Sequence, residues 1–403
     1  MKFSKLSQLF LVSSIGLLVA TLLTACQLVT VDYVFVANSA ASGTSPDGQI
    51  ETYAVDSQSG ALRVGAPGVS AGGVDPVALA VTPDYANLYV ANGTDKTVIH
   101  FTISLNGVLT QKDAVTMSFA PTSIAVDPNG KFLYVVGGTG PSEIASYPLS
   151  SGAIGALATQ TTLSLASDPS DKLVPTGVIV LANDNAVYVC AYDQSAYNPG
   201  GTTTSGANPG WVFGFTPGSG GTLTPVSGSP YRAGVKPTGL AADPTNRFVY
   251  ITDYASNQLI GYTIGSGSTL NFLVNGPFKT GNEPSAVAVD PRGKYLYVSN
   301  ALDNTVTSYT IDLPTGTPTA TVASSGVTSN STDTQPDSIA IDPALGRFVY
   351  TANYLGNSVS GFRLDPNSGA LTTTQATPYP TGLKPTALLI IPHGNHSTQS
   401  VTP

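Results

Sequence analysis

Residues 284–300 read Pro284-Ser285-Ala286-Val287-Ala288-Val289-Asp290-Pro291-Arg292-Gly293-Lys294-Tyr295-Leu296-Tyr297-Val298-Ser299-Asn300, and the reading of this phrase decides the fold. A short apolar run follows the first proline, Asp-Pro-Arg-Gly interrupts it, and an aromatic-x-Tyr-Val run resumes it. Apolar runs of this length suit strands packed on both faces. Asp followed by Pro supplies a carboxylate for turn amides and a fixed φ for the bend.

The phrase recurs, its leading proline falling at Pro76, Pro121, Pro175, Pro237, Pro284, Pro336 and Pro385, at intervals of 45 to 62 residues. A four-stranded propeller blade repeats at roughly 40–50 residues. Ala80, Ala125, Ala241, Ala288 and Ala340 share one offset, small enough for inner strands to crowd round a narrow axis. Asp127, Asp243, Asp290 and Asp342 recur as turn formers, not as an acid/base set. Hairpin turns follow, as in Asn300-Ala301-Leu302-Asp303-Asn304 and Asn353-Tyr354-Leu355-Gly356-Asn357, then an alternating third strand such as 305–311. Gly-x-Leu turns, as at Gly107-Val108-Leu109, lead into a weaker outer strand.

The two ends complete each other. Tyr33-Val34-Phe35-Val36-Ala37-Asn38 has the aromatic strand but no Pro-led strand ahead of it, and Pro385–Pro392 has that strand and nothing after it. Their pairing predicts an all-β, seven-bladed β-propeller over 32–392, four antiparallel strands per blade, with no open edge. The polar residues 393–403 are expected to form a disordered tail.

Lys2 and Lys5 precede the uncharged run Leu9–Leu23, the layout of an export signal over 1–25. That run falls short of the ~20 residues that span a bilayer. Leu23-Thr24-Ala25-Cys26 resembles the lipobox of bacterial lipoproteins, which implies acylation of Cys26 and a short tether, 26–31, holding the protein to a membrane of the cell envelope. Gln27, a residue other than Asp after that cysteine, points to the outer membrane or its periplasmic face in a Gram-negative cell. Cys190 is then alone, so no internal disulfide is expected.

The first 25 residues hold two of the 16 Lys and Arg and none of the 24 Asp and Glu, leaving 14 bases against 24 acids in the mature chain. Such an acidic surface repels phosphate backbones, and nucleic acid is not an expected partner. Apolar residues still make up 41% in regular blocks, which excludes disorder.

Tyr89-Val90-Ala91-Asn92, Tyr297-Val298-Ser299-Asn300 and Tyr250-Ile251-Thr252-Asp253 resemble the repeat of YVTN-type propellers and of the wider lactonase, or 6-phosphogluconolactonase-like, family. The resemblance covers about residues 32–392. It implies hydrolysis of a sugar lactone at one mouth of the axial channel, by polar and charged residues that include His, Glu and Arg. Of the three histidines, His100 lies in a third strand and His393 and His396 in the tail, where a solvated pair is expected. Gly68-Val69-Ser70-Ala71-Gly72 matches the nucleophile-elbow pattern but falls between blades, without the strand-to-helix turn that chemistry requires. No P-loop, dinucleotide fingerprint or zinc-spaced cysteine set occurs, so neither cofactor nor metal is expected.

Equivalent loops of a propeller converge on one face, so repeat offsets locate candidates. Just before the inner-strand prolines stand Asp75, Ala120, Val174, Lys236, Glu283, Gln335 and Lys384. Lys236 and Lys384 suit an anionic ligand, and Glu283 or Asp75 a general base; a solvated rim of paired charges is the competing reading. Tyr192, Tyr254 and Tyr354 share a second offset, and a long Gly-, Asn- and Thr-rich insertion joins Tyr192 to Trp211, the only tryptophan. Aromatics with polar tips suit sugar stacking or a protein partner. The leading expectation is an envelope-tethered, monomeric propeller binding a small polar ligand, glycan or protein there. A lactonase comes second, with Glu283 or Asp75 helping water attack and Lys236 steadying the oxyanion. A surface scaffold without ligand comes third.

Overall fold

The structure, a computed structural model, describes residues 29–40, 47–166, 172–195, 197, 209–321 and 329–403. The export signal, Cys26 and most of the insertion before Trp211 lie outside these residues. Seven antiparallel sheets form the blades. Blade 1 joins the chain ends: Leu383–Pro392 is its inner strand and pairs antiparallel with Thr30–Ala40, Phe35 facing Leu389 and Asp32 facing Pro392. Blades 2 to 7 have inner strands Pro76–Val81, Pro121–Val126, Leu173–Val180, Pro237–Ala242, Pro284–Val289 and Pro336–Ile341. Consecutive inner strands touch all the way round, the last meeting Leu383–Pro392 and that strand meeting Pro76–Val81. In five blades the outer strand is two short pieces, both paired to the third strand, as with Leu270–Phe272 and Phe278–Lys279.

Apolar clusters lie between blades, and the repeated alanines pack in or against them: Ala80 is buried, and Ala125, Ala241, Ala288 and Ala340 line neighbouring clusters. A buried tyrosine in five of the aromatic strands adds a directional tie. Tyr89, Tyr188, Tyr250, Tyr297 and Tyr350 donate their hydroxyls to the carbonyls of Gly152, Ser268, Gly316, Gly369 and Gly60, each in the next blade's outer turn. The Asp-Pro turns form as expected, Asp127 accepting the amides of Lys131 and Phe132 and Asp290 those of Lys294 and Tyr295.

The tail departs from its expected disorder. Gly394–Thr398 form a 3-10 turn held by the Val31 carbonyl, which accepts the His393 amide, and by Ala344, whose carbonyl accepts the Val401 amide. The solvated pair expected of His393 and His396 is absent: His396 is 5% exposed, and His393 packs edge-on against Tyr33 at 4.9 Å. Two buried acids, Asp32 and Asp342, draw His396 in.

Candidate active site at the axial mouth

Every inner strand carries a bulge at its first turn: Pro284 faces Asn300 and Ala286 faces Ser299, leaving Ser285 unpaired, and the same shift follows Pro76, Pro121, Pro175 and Pro336. A bulge re-aims the side chain it frees. The freed residues are Val77, Thr122, Thr176, Ser285 and Asp337, with Thr238 and Thr386 at the same offset in blades 5 and 1. Thr176, Thr238, Ser285 and Thr386 donate their hydroxyls to the carbonyls of Pro237, Pro284, Pro336 and Pro76, each in the next blade. Asp337 puts a carboxylate into this ring of hydroxyls, where an ionised group cannot donate to the matching carbonyl of Pro385.

The residues just before the prolines are held at both ends. Glu283, Gln335 and Lys384 adopt left-handed conformations, with φ of 53°, 57° and 55°. Their amides donate to Asn257, Asn304 and Asn357, themselves left-handed hairpin residues of the preceding blade. The carbonyls of Lys236, Glu283 and Gln335 accept the amides of Tyr254, Ala301 and Tyr354 at the adjoining hairpin tips. The left-handed backbone here is therefore held by an asparagine side chain of the preceding blade and by a backbone amide of its own hairpin.

Blades 4 to 7 bring the chemistry together. The Tyr254 hydroxyl donates to Glu283 Oε2 at 2.7 Å. Lys236 Nζ lies 4.3 Å from the centre of the Tyr254 ring, 5.3 Å from Tyr197 and 5.9 Å from Tyr192, an aromatic surround for the ammonium. Gln335 donates to Asp337 at 3.1 Å. Burial pushes the Asp337 carboxyl up to about 6, the Gln335 bond opposing, the Glu283 charge adding and Lys236 opposing. Burial draws Lys236 below its ordinary range, against the pull of Glu283 and Asp337. Burial and then the Glu283 bond raise Tyr254, which therefore keeps its proton as a donor.

Other candidates fall elsewhere. Asp75, left-handed at φ 63°, accepts from Ser39 at 3.1 Å in blade 1, and Lys384 Nζ stands 5.8 Å from the Tyr354 ring, a separate pair on the rim. Trp211, the second residue of the third strand of blade 4, pairs with Ala191 and lies 3.9 Å beneath the Arg232 guanidinium, not against Lys236. His100 is buried within blade 2 between Asp113 at 2.8 Å and Asn87 at 2.9 Å. The sequence reading missed Asp337, although one signal was there: it is the only acid at an offset otherwise held by Thr, Ser and one Val. Tyr197 was hidden in the insertion.

A carboxylate, an ammonium and phenols thus stand together at the mouth of a seven-bladed ring. A family profile described as "Lactonase, 7-bladed beta-propeller" matches residues 38–175 and 266–390, well over half the chain, and the protein belongs to that family. No curated protein matches the sequence. The solved structures it resembles include a periplasmic gluconolactonase of Pseudomonas aeruginosa, 19% identical with a TM-score of 0.72, covering 90% of this chain and 99% of that one. A protein of Bacteroides fragilis provisionally named a 6-phosphogluconolactonase is 18% identical with a TM-score of 0.68, covering 90% and 98%. A hydrazine synthase chain of Kuenenia stuttgartiensis, 18% identical, has a TM-score of 0.57 over 79% of this chain and 92% of its own. At such identities the likeness concerns the fold, which serves more than one chemistry.

Proposed function

We propose that the protein is a lactone hydrolase acting on small polyhydroxylated lactones at this mouth. One observation carries the reading: in a lactonase-family ring, Asp337, its carboxyl pushed up to about 6, shares the field of the Lys236 ammonium. A base with a pKa near the working pH is ionised yet basic enough to act. Asp337 takes a proton from water as the oxygen adds to the lactone carbonyl carbon. Lys236 stabilises the oxyanion. Collapse breaks the ring C–O bond, and the proton on Asp337 passes to the leaving alkoxide, giving the hydroxy acid. Tyr192, Tyr197 and the Tyr254–Glu283 pair bind and orient the sugar. This differs from the sequence expectation in the base: Glu283 is engaged by Tyr254, and Asp75 by Ser39 in blade 1.

The test is turnover of gluconolactone and related lactones by the purified chain, measured against spontaneous hydrolysis at matched pH. Lys236→Met is expected to lower kcat by about 10²–10³-fold, the loss typical of a removed oxyanion donor. Turnover no faster than the spontaneous rate rejects the enzyme reading. The aromatic surround of Lys236 equally suits a sugar receptor, and in that case saturable sugar binding without turnover is lost in Tyr254→Ala. Tethering through Cys26, and action at the periplasmic side of the envelope, form part of the same proposal and are checked by labelling with a radioactive fatty acid.

A further inference from the structure

The end of the ring away from the mouth buries a second constellation. Asp32, at the start of the opening strand, is wholly buried, and neither of its carboxylate oxygens has a hydrogen-bond partner. Asp342, equally buried, accepts the amides of Ala344 and Arg347. Its repeat equivalents Asp127, Asp243 and Asp290 serve their turns in the same way. Here the docked tail adds His396, whose Nε2 lies 3.1 Å from Asp342 Oδ1 and 3.4 Å from Asp32 Oδ1. One donor atom from each residue falls within 4.8 Å of the others.

Two carboxylates buried beside each other need positive charge. The Arg347 guanidinium acts on Asp32 only through space, since it donates to the Ser57 carbonyl and stands 5.2 Å from the Phe348 ring. His396 is arranged as a ligand would be. Its Nδ1 is 2.8 Å from Gln399 Oε1, an outer contact of the kind that orients a ligating imidazole, and its Nε2 faces the two acids. A divalent ion would balance two carboxylates and a neutral imidazole. Metal–ligand bonds near 2.1 Å give ligand–ligand edges of about 3.0–3.4 Å, the range of the two His396 separations.

We propose that Asp32, Asp342 and His396 form a structural site for a first-row divalent cation of the zinc or manganese class, water completing its sphere. One nitrogen and few oxygens suit such an ion better than calcium, which takes about 6–8 oxygen ligands. The ion ties the opening strand, blade 7 and the C-terminal tail at one point, so it staples the seam. Inner strand Pro336–Ile341 separates it from Asp337, at the other end of that strand, and it takes no part in the proposed hydrolysis.

Elemental analysis and thermal melts of the full mature chain test this, after EDTA treatment and after addition of Zn²⁺, Mn²⁺ or Ca²⁺. Zn²⁺ or Mn²⁺ is expected to bind at one equivalent and raise Tm by about 2–4 °C at saturating excess. Both effects should vanish in Asp32→Asn and in His396→Gln. The second variant changes only the tail, so it folds even where the first does not. The proposal is overturned if neither ion binds stoichiometrically and Tm stays fixed, if only Ca²⁺ acts, or if both variants keep the full response.

Discussion

Asp337→Asn is expected to lower kcat/KM for lactone hydrolysis by about 10²–10⁴-fold, the usual worth of a positioned general base, while raising the melting temperature. The two effects share one cause. Burial holds the Asp337 carboxyl near pH 6 in the folded protein against 3.8 in a free chain, so the native state favours the protonated form. For an acid shifted upward, its contribution to stability is full below about 3.8 and is lost as pH rises through about 6. At neutral pH the carboxylate is a burden that Asn removes, and an amide can also donate to the Pro385 carbonyl as the neighbouring hydroxyls do. A gain of about 1–4 °C is expected. In the wild type, kcat/KM should climb with pH to a plateau, with a midpoint near 6. Unchanged turnover in Asp337→Asn, or an ascending limb centred far from 6, removes Asp337 from the base role. A variant that is both inactive and less stable points to a structural part instead.

Ending the chain at Gly382 should abolish cooperative unfolding, whereas ending it at Pro392 should preserve it. The first truncation removes the inner strand of blade 1, including Leu388, Ile390 and Ile391, all under 9% exposed. Each such side chain stabilises by about 1.5–3 kcal/mol when buried. The opening strand would also lose its partner from Asp32 to Ala40, leaving its inner edge unpaired. That loss rivals the roughly 5–15 kcal/mol that holds a typical domain together. The second truncation removes only the tail and should lower Tm while keeping a single sharp transition. Melts followed by circular dichroism distinguish them. If the shorter chain melts like the intact one, the ends do not close the ring.

The ring was legible because its signals repeat: seven leading prolines, the Asp-Pro turns and the aromatic strands each recur at fixed offsets, and an unmatched strand at either end implied closure. Candidates drawn from the same offsets came out unevenly. Lys236, Tyr254, Glu283 and Tyr192 converge, since hairpin asparagines such as Asn257 fix the backbone of the next blade. Trp211 does not, because its place in a third strand turns it toward Arg232. Asp337 escaped because it was sought before the proline and not after it, and the bulge that frees it leaves no trace in hydrophobic periodicity. The tail misled for another reason. Its polar composition suits solvent, yet a single imidazole facing two buried acids outweighs that preference.

The bulge after each inner proline also bears on how such rings diversify. It lifts one side chain per blade out of the hydrogen-bonded ladder, so exchanging that residue leaves strand register intact and changes only what the side chain gives to the mouth and to the next blade's carbonyl. Seven interchangeable slots then surround one opening, and Val77, Thr122, Ser285 and Asp337 show valine, hydroxyl and acid already occupying them. New specificities can accordingly be sampled by single substitutions without shifting the strands, which makes these positions the natural starting library for redirecting the scaffold.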